Sequence, residues 1–339
     1  MAARAKGLVV TGVRPVTNPS EGAILALVEG RGRDPVIRPL DHEQDAPAVV
    51  DILREANPHW LLSVASWRYW REHLPARAEL SEWVAVEGGQ IVGVSSGLRR
   101  FFTKKAETAF VTATVRRDHR CRGIGASLYT HAEGHARTLG CRRLATYFPL
   151  TREGLSFAEA RGFRRERTAV QSSVDPRTVD LSRLARLPPG IRVLPLSELG
   201  DRLEAVFAVE AEAILDEPAS EPADDVRFEE WLDELDNPLF SRPGSFCALD
   251  GDDVVAIASL YIDLETRQAR NGGTGTLRTH RGRGLATLAK LALLRWAAAI
   301  GIEAIWTTND ETNEAMLAIN RKLGYRPAAR DIEAIRELA

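Results

Sequence analysis

The sequence has few cysteines, few lysines and no long uninterrupted apolar run. Its three cysteines are Cys121, Cys141 and Cys247. Their spacing fits no zinc-binding pattern and an odd number cannot all pair, which argues against a disulfide-rich scaffold and favours a reducing cytoplasm. The most apolar stretch, residues 285–300, carries Lys290 and Arg295 and has helical periodicity, so no membrane-spanning segment is predicted.

Charge of one sign is also lacking, since the formal net charge is −2 over 339 residues. A chain so close to neutral has no global attraction to nucleic acid or to an anionic membrane, and neither is expected as a partner. The length exceeds what one hydrophobic core usually supports, so two domains are predicted. Residues 1–35 read as an extension, because their apolar run is too short and wrongly flanked for a secretory signal.

What the chain does contain is one pattern written twice. Residues 119–126 (HRCRGIGA) recur as residues 280–287 (HRGRGLAT). Apolar, β-branched runs and glycine turns precede each copy, as in a strand meander. Helices are predicted after the copies, from about Gly123 to Leu139 and from about Gly284 to Ile300, since a glycine follows each apolar period.

The match continues to the end of each copy. Short strands are predicted at residues 143–147 and 304–308, and a further helix then ends at a glycine–aromatic pair, Gly162-Phe163 or Gly324-Tyr325. We therefore interpret the chain as a duplication, with an N-terminal domain over 36–178, a linker over 179–190 and a C-terminal domain over 191–339. Leu187-Pro188-Pro189-Gly190 has the composition of a linker.

The repeated loop has the form Arg-x-x-Gly-x-Gly/Ala between a strand and a long helix. Such a loop directs bare backbone N–H groups and the positive end of the helix dipole at one point, as a pyrophosphate site requires. Neither copy has the Gly-Lys-Ser/Thr of a Walker A loop. The first copy has Leu128 where a Rossmann fingerprint needs its third glycine or alanine. The alternative is a purely structural glycine–arginine turn.

Loop and context together closely resemble the GNAT N-acetyltransferase superfamily, over roughly residues 36–175 and 191–330. The resemblance implies an α+β fold of two tandem GNAT-type domains, each a mixed, mostly antiparallel sheet flanked by helices. It also implies acetyl-CoA, or another acyl-CoA, as donor substrate, and no metal. The residues expected to bind the coenzyme are Leu277, Arg278, Arg281, Gly282, Arg283, Gly284, Leu285, Ala286, Asn309, Asn313 and Asn320 in the second copy, and Val115, Arg120, Cys121, Arg122, Gly123, Ile124, Gly125 and Ala126 in the first.

The second copy is the better candidate for catalysis. By resemblance, Asn309, Asn313 and Asn320 would bind the pantetheine or phosphate arm, although Asn313 also suits a helix N-cap. The first copy has Thr151 and Ala158 in place of the last two. We therefore predict a catalytic C-terminal domain and an N-terminal domain that keeps the fold without the activity.

The chemistry implied by the resemblance is attack of a neutral amine on a thioester, with a backbone N–H near Leu277 stabilising the oxyanion. A base is needed, because an alkylammonium with a pKa near 10.4 arrives protonated. Many family members place a tyrosine acid where this chain has Asn320. The catalytic candidates, chosen by location, are Asn320, Glu210, Glu212, Asp263 and Glu265.

An acidic segment covers the first helices of the second copy, with thirteen acidic residues against Arg227 alone between Glu204 and Asp236. It would attract a cationic amine to a groove wall that includes Asp216–Pro218, Phe228 and Trp231. The alternative is a solvated helix face. His131 and His135 have a spacing that can bind zinc, but no third ligand suggests itself, so no metal site is predicted.

The sequence thus predicts a cytoplasmic acetyltransferase, monomer or homodimer, acting on a small amine. Two other functions stay open: a CoA-binding structural or sensing protein without turnover, and a protein N-acetyltransferase. The length of the acyl group also stays open.

Overall fold

The fold is taken from a computed structural model that describes residues 35–104, 107–221 and 223–338, without the side chain of Arg183. The predicted extension over residues 1–35 lies outside the described residues except for its last position. Among the described residues, no helix combines the length and apolarity that crossing a bilayer requires.

The first repeat contains six strands and four helices. They are β1 (Val36–Pro39), α1 (Ala46–Ala56), α2 (Val64–Glu72), β2 (Ser81–Glu87), β3 (Gln90–Arg99), β4 (Thr108–Val115), α3 (Ile124–Thr138), β5 (Arg143–Pro149), α4 (Arg152–Glu159) and β6 (Arg164–Val174).

The second repeat has the same elements in the same order. They are β7 (Ile191–Pro195), α5 (Leu203–Leu215), α6 (Phe228–Glu234), β8 (Phe246–Asp250), β9 (Asp253–Asp263), β10 (Gln268–Thr276), α7 (Leu285–Ala299), β11 (Ala304–Asp310), α8 (Glu314–Lys322) and β12 (Arg326–Glu337). Duplication of the fold is therefore confirmed.

Local sequence explains where the paired helices begin and end. Gly123 and Gly284 cap the N-termini of α3 and α7 with φ of 83° and 76°, in the left-handed region where glycine is favoured. The predicted helices over 123–139 and 284–300 are confirmed within one residue at each end. The predicted strands over 143–147 and 304–308 are confirmed as β5 and β11, each two residues longer.

All twelve strands join one sheet in the order β1-β2-β3-β4-β5-β12-β6-β11-β10-β9-β8-β7. The parallel pairs are β4 with β5 and β10 with β11. The last strand of each repeat pairs with strands of the other repeat. β12 lies between β5 and β6, and β6 lies between β12 and β11.

The exchanged strands also contribute to the core of the other repeat. Ile332 and Ala334 of β12 pack in the cluster that contains Leu144 and Phe163 of the first repeat. Val174 of β6 packs in the cluster built on α7. The predicted boundaries 36–178 and 191–339 therefore separate the repeats along the chain, but each repeat completes the sheet and the core of the other.

Candidate active site

The two phosphate-type loops have the same backbone frame. A single 3-10 turn, Arg117–His119 or Arg278–His280, leads from the end of β4 or β10 into each loop. Arg120 Nε donates to the carbonyl of Val115 at 3.0 Å, and Arg281 Nε donates to that of Thr276 at 3.1 Å.

The loop N–H groups are free to bind an anion. In the described part of the chain, the N–H groups of residues 121–123 and 282–284 have no hydrogen-bond acceptor. Behind them stand the first turns of α3 and α7, with Ile124, Gly125 and Ala126 in one and Leu285 and Ala286 in the other. The fold thus assembles the donors that a diphosphate needs.

The two loops differ in the acidic residues beside them. Arg283 pairs with Asp250 at 2.8 Å, as Arg122 pairs with Glu87 at 3.0 Å. The second loop has an additional carboxylate, Asp216 at the end of α5. Hydrogen bonds from Arg278 and Arg281 lower the pKa of Asp216 to about 2.

The two loops also differ at the residue between their two arginines, which is Cys121 in the first loop and Gly282 in the second. Gly282 has φ 79°, whereas Cys121 at the matching position has φ 60°. A non-glycine residue in that region carries steric strain and places a Cβ beside the loop. The first loop therefore has less room for close approach of a ligand than the second.

Beyond the loops, the strands of each parallel pair separate. Pairing of β10 with β11 ends at Arg270 and Trp306, and pairing of β4 with β5 ends at Phe110 and Ala145. Only in the second repeat is this point also a β-bulge, between Asn271 and Thr274 of β10. The pairing of β3 with β4 runs without a register shift.

Glu210 lies directly against this bulge. A Cβ added to Gly273 would overlap Glu210 Oε1, so the carboxylate touches the bare backbone of the strand. Trp231 Nε1 donates to Glu210 Oε2 at 2.8 Å. Burial, with a smaller contribution from the charge of Glu234, raises the pKa of Glu210, while the Trp231 hydrogen bond opposes the rise.

The first repeat has no equivalent acid. Glu55 of α1 accepts the N–H of Arg117 at 2.8 Å, and Glu212 of α5 accepts the N–H of Arg278. These matched contacts align the two helices and put Leu53 at the position of Glu210. Glu212 therefore anchors the 3-10 turn that precedes the loop. Its position does not suit the base that the sequence analysis considered.

Asp263 and Glu265 are not brought to the site. Both lie at the turn between β9 and β10, where Asp263 accepts the N–H groups of Glu265 and Thr266 at 3.0 and 3.3 Å. The loop follows the other end of β10, past Thr276. Their selection as base candidates is corrected: neighbours along a hairpin can lie a whole strand length from the reacting end.

The proposed oxyanion donor near Leu277 also needs correction. The N–H of Leu277 donates to the carbonyl of Val255 at 3.0 Å, as part of the bonding between β10 and β9. That N–H is not available to a ligand. The bulge at Gly272 and Gly273 is the place where the ladder of β10 is interrupted.

Buried amides cluster near the point where β10 and β11 separate. Asn320 Nδ2 donates to Asn309 Oδ1 at 2.6 Å, and Asn313 caps α8 by accepting the N–H of Met316 at 3.2 Å. Asn320 Oδ1 and Asn271 Nδ2 are buried without a hydrogen-bond partner among the described residues. Unpaired buried amide atoms are costly, so this donor set fits an amide-bearing arm such as pantetheine.

A lysine stands behind the bulge. Lys290 Nζ and Tyr325 OH both donate to Asn271 Oδ1, at 3.0 and 2.6 Å. Complete burial lowers the pKa of Lys290 to about 7. These contacts fix the orientation of the Asn271 side chain. They leave its amide nitrogen without a hydrogen-bond acceptor among the described residues.

The first cleft has apolar side chains instead. Ala158 replaces Asn320, and the ring of Phe157 lies 3.3 Å from where a Cβ of Gly125 would be, close also to Val115. Phe157 thereby packs against the first turn of α3, so apolar groups occupy this place in the first repeat.

The two histidines of α3 are occupied locally. His131 Nδ1 contacts the carbonyl of Ser127 at 2.9 Å, and His135 Nε2 contacts that of Glu79 at 2.6 Å. No group of three or more metal-ligating side chains is present in the part of the chain that the structure describes.

Some carboxylates of the acidic segment form ion pairs with arginines of the same chain. Glu230 pairs with Arg77 of the first repeat and Asp216 with Arg278, whereas Glu217 has no ion pair among the described residues. The rings of Phe228 and Trp231 stack on each other and pack at a tilt against Phe207, in a core cluster of the second repeat.

A cavity of about 460 Å³ opens between the two repeats beside this segment. Its lining residues are Arg100, Phe102, Tyr147, Arg167, Ala169, Ile214, Glu217, Pro218, Ala219, Glu221, Ala223, Val226, Thr308, Asn309, Asp310 and Glu333. Glu217 and Pro218 are the part of the predicted groove wall that the structure places at a cavity.

Sequence reasoning missed the bulge and the role of Trp231. The pair Gly272-Gly273 inside an otherwise strand-like run was the available signal, since glycine within a strand marks a bulge or a close approach. No local signal identifies Trp231, because its partner Glu210 lies on another helix.

The acetyltransferase (GNAT) family model matches the chain twice, at residues 46–163 and 208–325. Among solved structures, the chain is similar to a tandem GNAT protein from the clavulanic acid biosynthesis pathway, with TM-score 0.71, 22% identity, and coverage of 90% of this chain and 98% of that one. It is also similar to a GCN5-related N-acetyltransferase from Sphaerobacter thermophilus, with TM-score 0.67, 17% identity, and coverage of 89% and 95%. No curated relative matches the sequence. With the fold, the duplicated loops and two matches over most of its length, the chain belongs to the GNAT acetyltransferase family as a tandem member, and its class of activity is acyl-CoA N-acyltransfer.

Proposed function

We propose that the second repeat transfers an acetyl group from acetyl-CoA to a primary amine of a small cationic molecule, and that the first repeat does not catalyse. The observation that carries the proposal is Glu210 at the bulge of β10, close to the point where β10 and β11 separate. Acetyl-CoA supplies the activated acyl group as a thioester. The loop residues 281–286 would hold its diphosphate and Asn309 and Asn320 its amide-bearing arm.

Glu210 serves as the base in this proposal. Burial raises its pKa, which makes the carboxylate a stronger acceptor for the proton of the incoming ammonium. Trp231 holds the carboxylate in place and Tyr261 donates to the neighbouring Glu234 at 2.9 Å. Such a base typically contributes about 10²–10⁴-fold to the rate.

The interrupted ladder at Gly272 and Gly273 replaces Leu277 as the source of backbone donors for the developing negative charge. Asn320, in the position where many family members have a tyrosine acid, has no ionisable proton. Protonation of the departing thiolate is therefore assigned to water.

The acceptor follows from the cavity beside the acidic segment. It has a volume that suits a small molecule, and four carboxylates among its lining residues stand against two guanidiniums. A reducing, cytoplasmic location is part of the same proposal, supported by three cysteines that are all free. Monomer or homodimer stays a prediction.

The test is release of CoA from acetyl-CoA by the full chain, followed with a thiol reagent over a panel of amines. We expect release with small amines that carry more than one positive charge. Absence of release with every amine, together with measurable CoA binding, would favour the non-catalytic sensing function instead. Acetylation of peptide N-termini in preference to small amines would favour a protein acetyltransferase.

A further inference from the structure

The cavity between the repeats is a composite of both. The first repeat contributes the loop after β3, with Arg100 and Phe102, and the strands β5 and β6, with Tyr147, Arg167 and Ala169. The second repeat contributes the segment after α5, the end of β11 and Glu333 of β12. Removal of the first repeat would therefore take away one side of the cavity.

The inner end of the cavity borders the candidate active site. Thr308 and Asn309 line it, two and three residues past Trp306, where β11 separates from β10. Ile214 lines it from α5, one helical turn after Glu210 and on the same face of that helix. A molecule in the cavity would therefore lie beside the separated strands and against Ile214, one helical turn of α5 from the base.

The charges of the cavity are unevenly paired. Arg167 is held by Asp310 at 2.9 Å, whereas Arg100 is 3.4 Å from Glu333 and 3.7 Å from Glu221. The oxygen of Glu221 nearest to Arg100, Oε2, is buried and accepts no hydrogen bond among the described residues.

Glu217 is the second acid available to a ligand. It lines the cavity, and its carboxylate has neither an ion pair nor a hydrogen bond in the described part of the chain. Desolvation by the neighbouring residues raises the pKa of Glu217, although the charge of Arg167 opposes the rise. A carboxyl group in that position gains from the arrival of a cation, which restores the stability of its charged form.

Apolar side chains from both repeats also line the cavity. Ile214, Pro218 and Val226 of the second repeat face Phe102 and Ala169 of the first. Glu217 and Glu221 lie on one short segment, and Ile214 lies between that segment and Glu210 along the chain. This arrangement fits two amino groups joined by a short hydrocarbon chain better than it fits a zwitterion or a sugar.

We propose that this composite cavity selects small diamines, with Glu217 and Glu221 binding the amino group that does not react and the first repeat supplying the opposite wall. The inference rests on the proposed function, since it assigns the acceptor class of the same site. It also gives the first repeat a role in specificity without a role in catalysis.

The experiment compares three amines with four carbon atoms each on the full-length protein: 1,4-diaminobutane, butylamine and 4-aminobutanoate. We expect kcat/KM to be highest for the diamine, at least tenfold lower for butylamine and lowest for the zwitterion. Glu217→Gln and Glu221→Gln should each lower kcat/KM for the diamine about tenfold or more through KM, and leave butylamine within twofold. Glu229→Gln is the matched control, since Glu229 is an exposed acid of the same segment that does not line the cavity.

The contribution of the first repeat is tested with Ala169→Leu and Tyr147→Phe. Ala169→Leu narrows the cavity and should raise KM for the diamine at least fivefold while KM for acetyl-CoA stays within twofold. Tyr147→Phe removes only a hydroxyl and checks that the protein tolerates substitution on this wall. Equal kcat/KM for all three amines, or an unchanged diamine KM in Glu217→Gln, Glu221→Gln and Ala169→Leu, would overturn the inference while leaving the proposed function intact. No turnover with any amine would instead defeat the proposed function.

Discussion

Substituting Trp231 by phenylalanine isolates the contact that the proposed base depends on. The change removes the indole N–H that donates to Glu210 Oε2 at 2.8 Å. It keeps an aromatic ring against Phe207 and Phe228, whose centroids lie 5.7 and 6.0 Å away. The packing of the helix pair is thus largely preserved.

The expected shift follows from the strength of that bond. A hydrogen bond to a charged group contributes about 1.5–3 kcal/mol, and one pKa unit corresponds to about 1.36 kcal/mol. The bond favours the charged form of Glu210, whose pKa is already raised by burial. Its loss should raise the pKa of Glu210 by a further one to two units.

Because a base must be deprotonated to act, activity falls as the pH drops through its pKa. The acid limb of kcat against pH, at saturating amine, should therefore move upward by about one to two pH units in Trp231→Phe. Glu210→Gln should lose that limb and about 10²–10⁴-fold of kcat. Trp306→Phe is the matched control, since it removes an indole hydrogen bond to Gln268 at the closed end of the strands. An unmoved limb in Trp231→Phe, or near-normal turnover in Glu210→Gln, would refute Glu210 as the base.

Three further outcomes follow from the fold and the site. Because β12 lies between β5 and β6, urea unfolding followed by tryptophan fluorescence and by far-UV circular dichroism should give one coincident transition. Deletion of residues 326–339 should abolish folding of both repeats. Two separated transitions would contradict the strand exchange. Asp331→Ala should lower the free energy of unfolding, measured by urea titration, by about 3–5 kcal/mol. The reason is that this fully buried carboxylate accepts a hydrogen bond from Gln171 at 2.6 Å and contacts His59 at 3.0 Å. A change below about 1 kcal/mol would show that these contacts are dispensable for stability. Asn320→Ala should raise KM for acetyl-CoA severalfold with little effect on KM for the amine, because it breaks the amide pair with Asn309; a selective effect on the amine would place Asn320 on the acceptor side.

The parts of the fold that are specified locally could be predicted from the sequence. A glycine with positive φ begins α3 or α7, and Gly140 and Gly301, also with positive φ, follow their ends. These signals act within a few residues and appear twice, which made the repeats, their helices and their loops recognisable.

The strand exchange could not be predicted in this way. The choice between β6 and β12 as neighbour of β5 is made by contacts more than a hundred residues apart in sequence, and both strands belong to the same pattern. Nothing within either strand distinguishes the two pairings. Partner choice in a sheet depends on packing against the rest of the core.

The candidate site shows the same division. Glu210 was selected by its location, and the structure places it at the cleft, but Asp263 and Glu265 were selected by the same reasoning and lie at the far end of β10. Proximity along a hairpin does not fix distance to the reacting end. The composite cavity needed both repeats in place before its lining could be known.

The central claim is that one repeat catalyses while the other retains the loop without the reaction, and the duplication offers a matched pair to test it. Gly284→Asp and Gly123→Asp each place a carboxylate at a loop where aspartate tolerates the left-handed backbone. A charge about 4 Å from a diphosphate costs about 4 kcal/mol at an effective dielectric constant near 20. With 1,4-diaminobutane as acceptor, kcat/KM for acetyl-CoA should fall at least a hundredfold in Gly284→Asp and stay within twofold of the parent protein in Gly123→Asp. The reverse order, or equal losses in both, would contradict the account.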